Sequence, residues 1–292
     1  NPYLRWEQTD QWNVGVDASL FDYRLTVGVD AYYKHTKDAF DNTLVSPFNG
    51  VENYTMNGSD ITNSGFSINV SAYPIKTRDW TWLVSANYSV VYNSINTKTA
   101  NKYKIEKYLN GTAIIDGKPI GTFYSYNFIG LDPQNGLPLF DDYRDRQHLL
   151  EGQSLDRIMQ RVGSQSGSRE PNLAGSFYST LRYQQWSLSA SFNYALGNKI
   201  RKFALYKDVL DGVSSENNVR KEFTKRWRKP GDEKHTQLPS LISPSDPAFQ
   251  ENRYHWSAAT PAATQGFETF ADNYWMMYDN SNARVVSGSY LR

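Results

Sequence analysis

The chain has no cysteine, four methionines and four histidines in 292 residues, and it lacks any long unbroken apolar run. Each scarcity removes a class of protein. Without cysteine there is neither a disulfide framework nor a thiolate metal site. The histidines, His35, His148, His235 and His255, are dispersed with no pair at helical ligand spacing, so they support neither a metal centre nor a general base. No stretch approaches the roughly 20 apolar residues that a membrane-spanning helix needs. The formal charge of +1 argues against a nucleic-acid-binding domain, which usually carries a marked basic excess. The two ends, Asn1-Pro2-Tyr3 and Tyr290-Leu291-Arg292, read as the interior of a longer strand-rich protein.

Aromatic residues, by contrast, make up 15% of the chain, while mean hydropathy is only −0.65. That combination is explained by strict alternation. Trp12, Val14, Val16, Ala18 and Leu20 alternate with Gln11, Asn13, Gly15, Asp17 and Ser19; after a turn at Asp22 the pattern returns with Leu25, Val27, Val29, Ala31 and Tyr33. Trp186, Leu188, Ala190, Phe192, Tyr194 and Leu196 alternate with Ser187, Ser189, Ser191 and Asn193. A period of two means β-strand, because successive side chains leave the pleat on opposite faces. One apolar face and one small polar face on long hairpins is what a water-lined barrel in a membrane requires, and it keeps mean hydropathy low.

Three hairpins are expected: 11–20 with 24–36, 64–73 with 80–93, and 172–183 with 186–200. Phe21 and Tyr23, Tyr73 and Trp80, and Tyr183 and Trp186 bracket their short turns. Amphipathic rings are favoured at a membrane boundary, so these pairs read as one girdle. The tight turns at Asp22, Pro74–Asp79 and Gln184-Gln185 would lie on the periplasmic side, and long loops on the other. Loops are expected at 37–63, 131–170, with a short helix near 154–161, and 201–283. Residues 120–130 resemble a strand with aromatics on both faces. An even number of crossings is required between 94 and 171, so either 103–109 is a second strand or 120–130 never crosses.

Several chemical motifs fail on inspection. Gly163-Ser164-Gln165-Ser166-Gly167 has the outline of a nucleophile elbow, but Gln165 stands where the serine must be. Gly111 to Lys118 is one residue too long for a phosphate loop and ends in Pro119. Nothing argues for catalysis. The basic run from Lys199 to Lys234 reads as a solvated loop with balancing acids elsewhere. Trp227, Tyr254 and Trp256, with His255, Trp275 and Tyr278, stand among polar and basic residues and are the candidate ligand-binding aromatics. Such rings offer apolar area to sugar faces or peptide side chains; the other role open to them is packing the loops together. Three further readings stay open at this level: a secreted soluble β-sandwich that binds carbohydrate, a β-sheet enzyme with its site in the loops, and a passive outer-membrane porin.

Asn1-Pro2-Tyr3-Leu4-Arg5-Trp6-Glu7 with Asn13-Val14-Gly15-Val16-Asp17 resembles the barrel of the SusC/RagA family of TonB-dependent outer-membrane transporters. Asp30-Ala31-Tyr32-Tyr33-Lys34, Pro119-Ile120-Gly121-Thr122-Phe123-Tyr124, Gly130-Leu131-Asp132, Arg226-Trp227 with Pro230-Gly231-Asp232, and Ser289-Tyr290-Leu291-Arg292 follow in the family's order. The resemblance implies an all-β fold: part of an antiparallel transmembrane barrel of the 22-strand type with long extracellular loops. Residues 1–292 would then be one piece of a single barrel domain, contributing eight to ten strands, with the plug domain and final strands lying elsewhere. It further implies a Gram-negative, Bacteroidetes-like outer membrane, a SusD-like surface lipoprotein and TonB as partners, no cofactor, and import of glycans or peptides. One departure is visible. Where many relatives carry a calcium-loop-like run, this chain has Asp141-Asp142-Tyr143-Arg144-Asp145-Arg146, and arginines repel a hard cation.

Overall fold

The computed structural model describes residues 4–44, 53–97, 103, 105–141, 144–150, 153, 155–205, 220–241 and 274–292. The strands, in chain order, are β1 (Gln8–Leu20), β2 (Leu25–Leu44), β3 (Asn53–Lys76), β4 (Trp80–Thr97), β5 (Thr122–Tyr126), β6 (Phe128–Leu131) and β7 (Pro138–Phe140). They continue with β8 (Gly163–Ser168), β9 (Leu173–Tyr183), β10 (Trp186–Leu196), β11 (Lys199–Arg201), β12 (Val285–Ser287) and β13 (Tyr290–Leu291). Three short helices intervene: α1 (Ile105–Asn110), α2 (Leu155–Val162) and α3 (Tyr274–Asp279).

One seven-stranded antiparallel sheet, ordered β1-β2-β3-β4-β9-β10-β13, forms the wall. Its register aligns the apolar positions across strands. Val16 faces Val29, Val29 faces Ile68, Ile68 faces Tyr88, Tyr88 faces Gly175 and Gly175 faces Tyr194. The alternation in each strand therefore sums to one continuous apolar surface. That surface is open: Trp186 and Leu188 are 80% and 73% exposed, and Phe192 and Leu196 are exposed as well. Even its polar groups are satisfied within it, since the Trp82 indole N–H donates to Ser179 Oγ at 3.0 Å and Tyr194 Oη–H to the Asn87 carbonyl at 3.2 Å.

The opposite face is a small-residue polar lining. Asn87 Nδ2 donates to Asn69 Oδ1 at 2.5 Å and Asn93 Nδ2 to Asn63 Oδ1 at 2.6 Å; Ser71 and Ser85 hydroxyls meet at 3.0 Å, Thr180 and Ser189 at 2.9 Å. The tight turns carry their rings outward, with Phe21, Tyr23, Trp80, Tyr183 and Trp186 all exposed. Trp80 and Tyr183, on neighbouring strands, stack at 4.3 Å between centroids. From Trp12 to Phe21 the outward face rises about 21–24 Å at the usual barrel tilt, close to the height of an apolar membrane band.

Two expectations are corrected here and one open choice is settled. Among the described residues the wall holds seven strands, fewer than the eight to ten expected, because β5 and β6 lie outside it and β4 pairs directly with β9. Of the two options for the crossing count, 120–130 not crossing is the one realised, and 105–110 is helical. The loop at 37–63 is also revised: β2 runs to Leu44 and β3 begins at Asn53, so the hairpin stands well clear of the membrane band. In that stretch the buried positions are polar as well as apolar (Ala39, Asp41 and Ser59 are buried, and Tyr103 Oη–H donates to Asp41 Oδ1 at 3.4 Å), so hydropathy alternation is lost and periodicity cannot reveal the strand. Within it Asn57 serves a bulge. Asn57 Nδ2 donates to the carbonyls of Asp38 and Arg5 at 2.6 and 2.9 Å, where Asp38 turns left-handed at φ 55° and the register slips.

Candidate binding surface at the loop end

Two insertions leave the wall at the end opposite the tight turns: 98–172 between β4 and β9, and 197–289 between β10 and β13. They fold together. Tyr108 and Leu109 of α1, Tyr124 and Tyr126 of β5, Leu137, Phe140, Ile158 and Met159 of α2, then Leu205, Phe223, Met277 and Tyr278 form one buried apolar cluster. Every residue of β5 is buried, which is why both of its faces carry aromatics. The helix expected near 154–161 is present as α2. Phe128 packs edge-on against Phe140 and Tyr278 at 6.1 and 5.6 Å, joining the first insertion to the second.

Two guanidinium groups tie the cap together, Arg201 joining the second insertion to the first and Arg284 bracing the second. Arg201, at the end of β11, donates from Nη1 to the Leu109 carbonyl at 2.6 Å and to Asn280 Oδ1 at 3.2 Å. From Nη2 it donates to the Tyr124 carbonyl at 2.9 Å and Ser125 Oγ at 2.8 Å, and it lies 5.2 Å from the Phe123 ring centre. Burial pushes the Arg201 pKa down to about 10, against the pull of the Tyr126 phenol. Tyr126 itself is raised well above its ordinary value, first by burial and then by Glu106. Arg284 is 1% exposed; Nη1 meets Glu222 Oε1 at 2.6 Å and Nη2 donates to the Phe203 carbonyl at 2.8 Å. Burial also raises Tyr278 beyond its usual range.

Trp227 is 7% exposed, so its ring offers no open stacking face. It closes over Gly136, where a Cβ would overlap the indole, and its N–H donates to Glu233 Oε2 at 3.2 Å. Gly136 turns at φ 69° and its carbonyl accepts from Ser240 N at 2.8 Å. Around this knot Asp232 Oδ2 accepts from the backbone N–H groups of Arg228 and Lys229 at 3.0 and 3.2 Å. Glu233 is held below its ordinary pKa, chiefly by the hydrogen bond from its own backbone N–H. The motif Arg226-Trp227…Pro230-Gly231-Asp232 thus interlocks with Gly130-Leu131-Asp132…Gly136. Tyr278 is buried in the same cap, whereas Tyr254, His255 and Trp256 lie outside the described residues. At the motif that departs from a calcium-loop pattern, Arg146 Nη2 donates to both Asp141 oxygens at 2.6 and 2.8 Å.

What composition alone does not reveal is Phe203. It is 76% exposed beside the cap, with the Arg220 guanidinium 5.0 Å from its ring centre. The only signal for it in the sequence was its place inside the basic run.

An antiparallel wall with an apolar outer face, a polar inner face, ring-flanked tight turns at one end and folded insertions at the other defines a transmembrane β-barrel. The chain belongs to the TonB dependent receptor-like, beta-barrel family, whose description matches residues 1–209. It is 28% identical over 285 residues to TonB-dependent receptor P39 of Formosa agariphila, covering 82% of this chain and 27% of the relative. It is 30% identical over 160 residues to TonB-dependent receptor SusC of Bacteroides thetaiotaomicron, covering 50% of this chain and 16% of SusC. The RagAB peptide transporter superposes on all of it with a TM-score of 0.69 at 21% identity, across 28% of that solved chain. The chain thus spans about a quarter of the length of the first of these relatives and of that transporter chain.

Proposed function

We propose that this chain forms a sector of the wall and part of the outer cap of an outer-membrane importer, the SusC-like barrel of a SusCD-type complex. A SusD-like lipoprotein covers the loop end from outside, and TonB supplies the work from the periplasm. The ligand is a nutrient, a glycan oligosaccharide or a peptide. In this reading the residues here do not catalyse. The row of Asn, Ser and Thr side chains lines the wet path, and the cap meets the ligand and the lid.

The single observation that carries the reading is the polarity of the wall. Its apolar face runs unbroken over six strands, and all large insertions leave from the same end. A soluble sandwich would bury that face against a second sheet. Relatives named as TonB-dependent receptors support active rather than passive passage. The test is uptake by cells carrying the intact receptor. Import that stops when a protonophore collapses the proton-motive force is expected; uptake that continues unchanged identifies a passive porin and refutes the proposal.

A further inference from the structure

The basic run is left unused by transport alone, and its acids among the described residues are occupied. Glu222 lies 2.6 Å from buried Arg284 and 3.8 Å from Lys202. Asp232 caps two backbone N–H groups, and Glu233 holds the Trp227 indole and the Gly231 N–H. Arg220, Lys221 and Lys225 are exposed, and among the described residues no carboxylate lies within ion-pair distance of them. A solvated loop relieves such crowding by pairing; here the described carboxylates, Glu222, Asp232 and Glu233, are spent on the scaffold.

Phe203 stands beside the start of that basic turn, with the Arg220 guanidinium 5.0 Å from its ring centre and Lys221 and Lys225 following on the 3-10 helix Lys221–Lys225. The Phe203 carbonyl accepts from Arg284, Lys202 N donates to the Arg284 carbonyl at 2.8 Å, and Leu205 N donates to Asp279 Oδ1 at 2.8 Å. The backbone on both sides is therefore anchored to the buried cap while the ring projects into water. An exposed phenyl ring fixed this way, with a guanidinium at one side, has the components that bind a sugar ring bearing an acidic group. The C–H face of the sugar covers the ring, and its anion meets the cation.

We propose that Phe203, Arg220, Lys221 and Lys225 form a capture site for an acidic oligosaccharide, one carrying carboxylates or sulfates along its length. The open ring is what favours this over an acidic peptide: a pyranose lays a C–H face on the phenyl ring while its anion reaches the cations, whereas a run of acidic side chains would leave the ring uncovered. The inference rests on the importer reading, since it places this surface on the outside of the cell.

The test measures binding to the intact receptor in detergent at low salt, by calorimetry. The probes are an oligogalacturonate, a sulfated dextran oligosaccharide, a neutral dextran oligosaccharide of equal length and a polyglutamate peptide. At least one acidic glycan is expected to bind at least tenfold tighter than the neutral one. Phe203→Ala and Arg220→Ala are each expected to weaken it roughly tenfold, as is a rise to 0.5 M salt, which screens exposed charges. Equal affinity for neutral and acidic glycans, binding of polyglutamate alone, binding of no probe, or full affinity in both variants overturns the site. Protonophore-sensitive uptake of another nutrient, unchanged in Phe203→Ala cells, removes this site while leaving the importer reading standing.

Discussion

Arg201→Met isolates the hydrogen-bonded tie between the two insertions of the cap. The substitution keeps much of the side-chain volume and removes every donor. It strands the Leu109 and Tyr124 carbonyls, both now reached by the guanidinium at 2.6 and 2.9 Å, and frees Ser125 and Asn280 to turn elsewhere. Each buried acceptor left without a partner costs roughly 1–3 kcal/mol. Against this, methionine needs no charge to be held out of water, whereas burial of the guanidinium pushes its pKa down to about 10. Two orphaned carbonyls at roughly 1–3 kcal/mol each, partly offset by the charge no longer buried, leave about 3 kcal/mol expected. That is roughly a 150-fold rise in the opening equilibrium of the cap. Hydrogen–deuterium exchange of the intact receptor reads it directly. Amides of α1, β5 and residues 280–284 are expected to exchange faster by that factor, while β9 and β10 stay unchanged. Arg201→Lys is expected to fall between, since one ammonium reaches fewer of the four acceptors. Equal protection in wild type and Arg201→Met refutes the reasoning.

Two further outcomes test the wall and the knot. Val16→Arg places a cation on the outward face near mid-height and is expected to cost about 2–4 kcal/mol, whereas Ser89→Arg, at a neighbouring height on the inner face, is expected to cost little. Urea titration of the receptor in lipid vesicles separates them, and equal losses would show the faces to be misassigned. Gly136→Ala puts a methyl into the Trp227 indole at a left-handed position and is expected to loosen the 226–240 loop by about 2 kcal/mol or more. Limited proteolysis within that loop measures the effect; an unchanged cleavage rate contradicts it.

The wall was legible because a single physical requirement, lipid on one side and water on the other, is written into every second residue. Trp12 to Leu20 and Trp186 to Leu196 could be placed to the residue for that reason. The same rule fails where the requirement ends. Beyond Tyr33 the strands leave the lipid and bury polar Asp41 and Ser59 alongside Ala39, so Lys34 to Leu44 carry no period to read. Within the cap, β5 is buried on both faces, so Phe123, Tyr124 and Tyr126 give an apolar run that does not announce its partner. Trp227 illustrates a further limit. An aromatic among charged neighbours reads as exposed, yet Gly136, some ninety positions earlier, supplies the one spot without a side chain where the indole can lie. Phe203 is the converse, an aromatic whose outward position is set by hydrogen bonds to Arg284 and Asp279, far along the chain.

Because β4 and β9 are lateral neighbours, residues 98–172 depart and return one strand spacing apart. Val91 N still donates to the Asn172 carbonyl, and Ile95 trades hydrogen bonds with Gly117 and Lys118. The wall would keep its register if that segment were exchanged for another whose ends meet at the same gap. Its apolar heart is shared with the second insertion, however, through Phe128 on Tyr278 and Arg201 on Leu109. Lineages that change what this receptor recognises must therefore rewrite both excursions as a matched pair, while the barrel beneath them stays as it is.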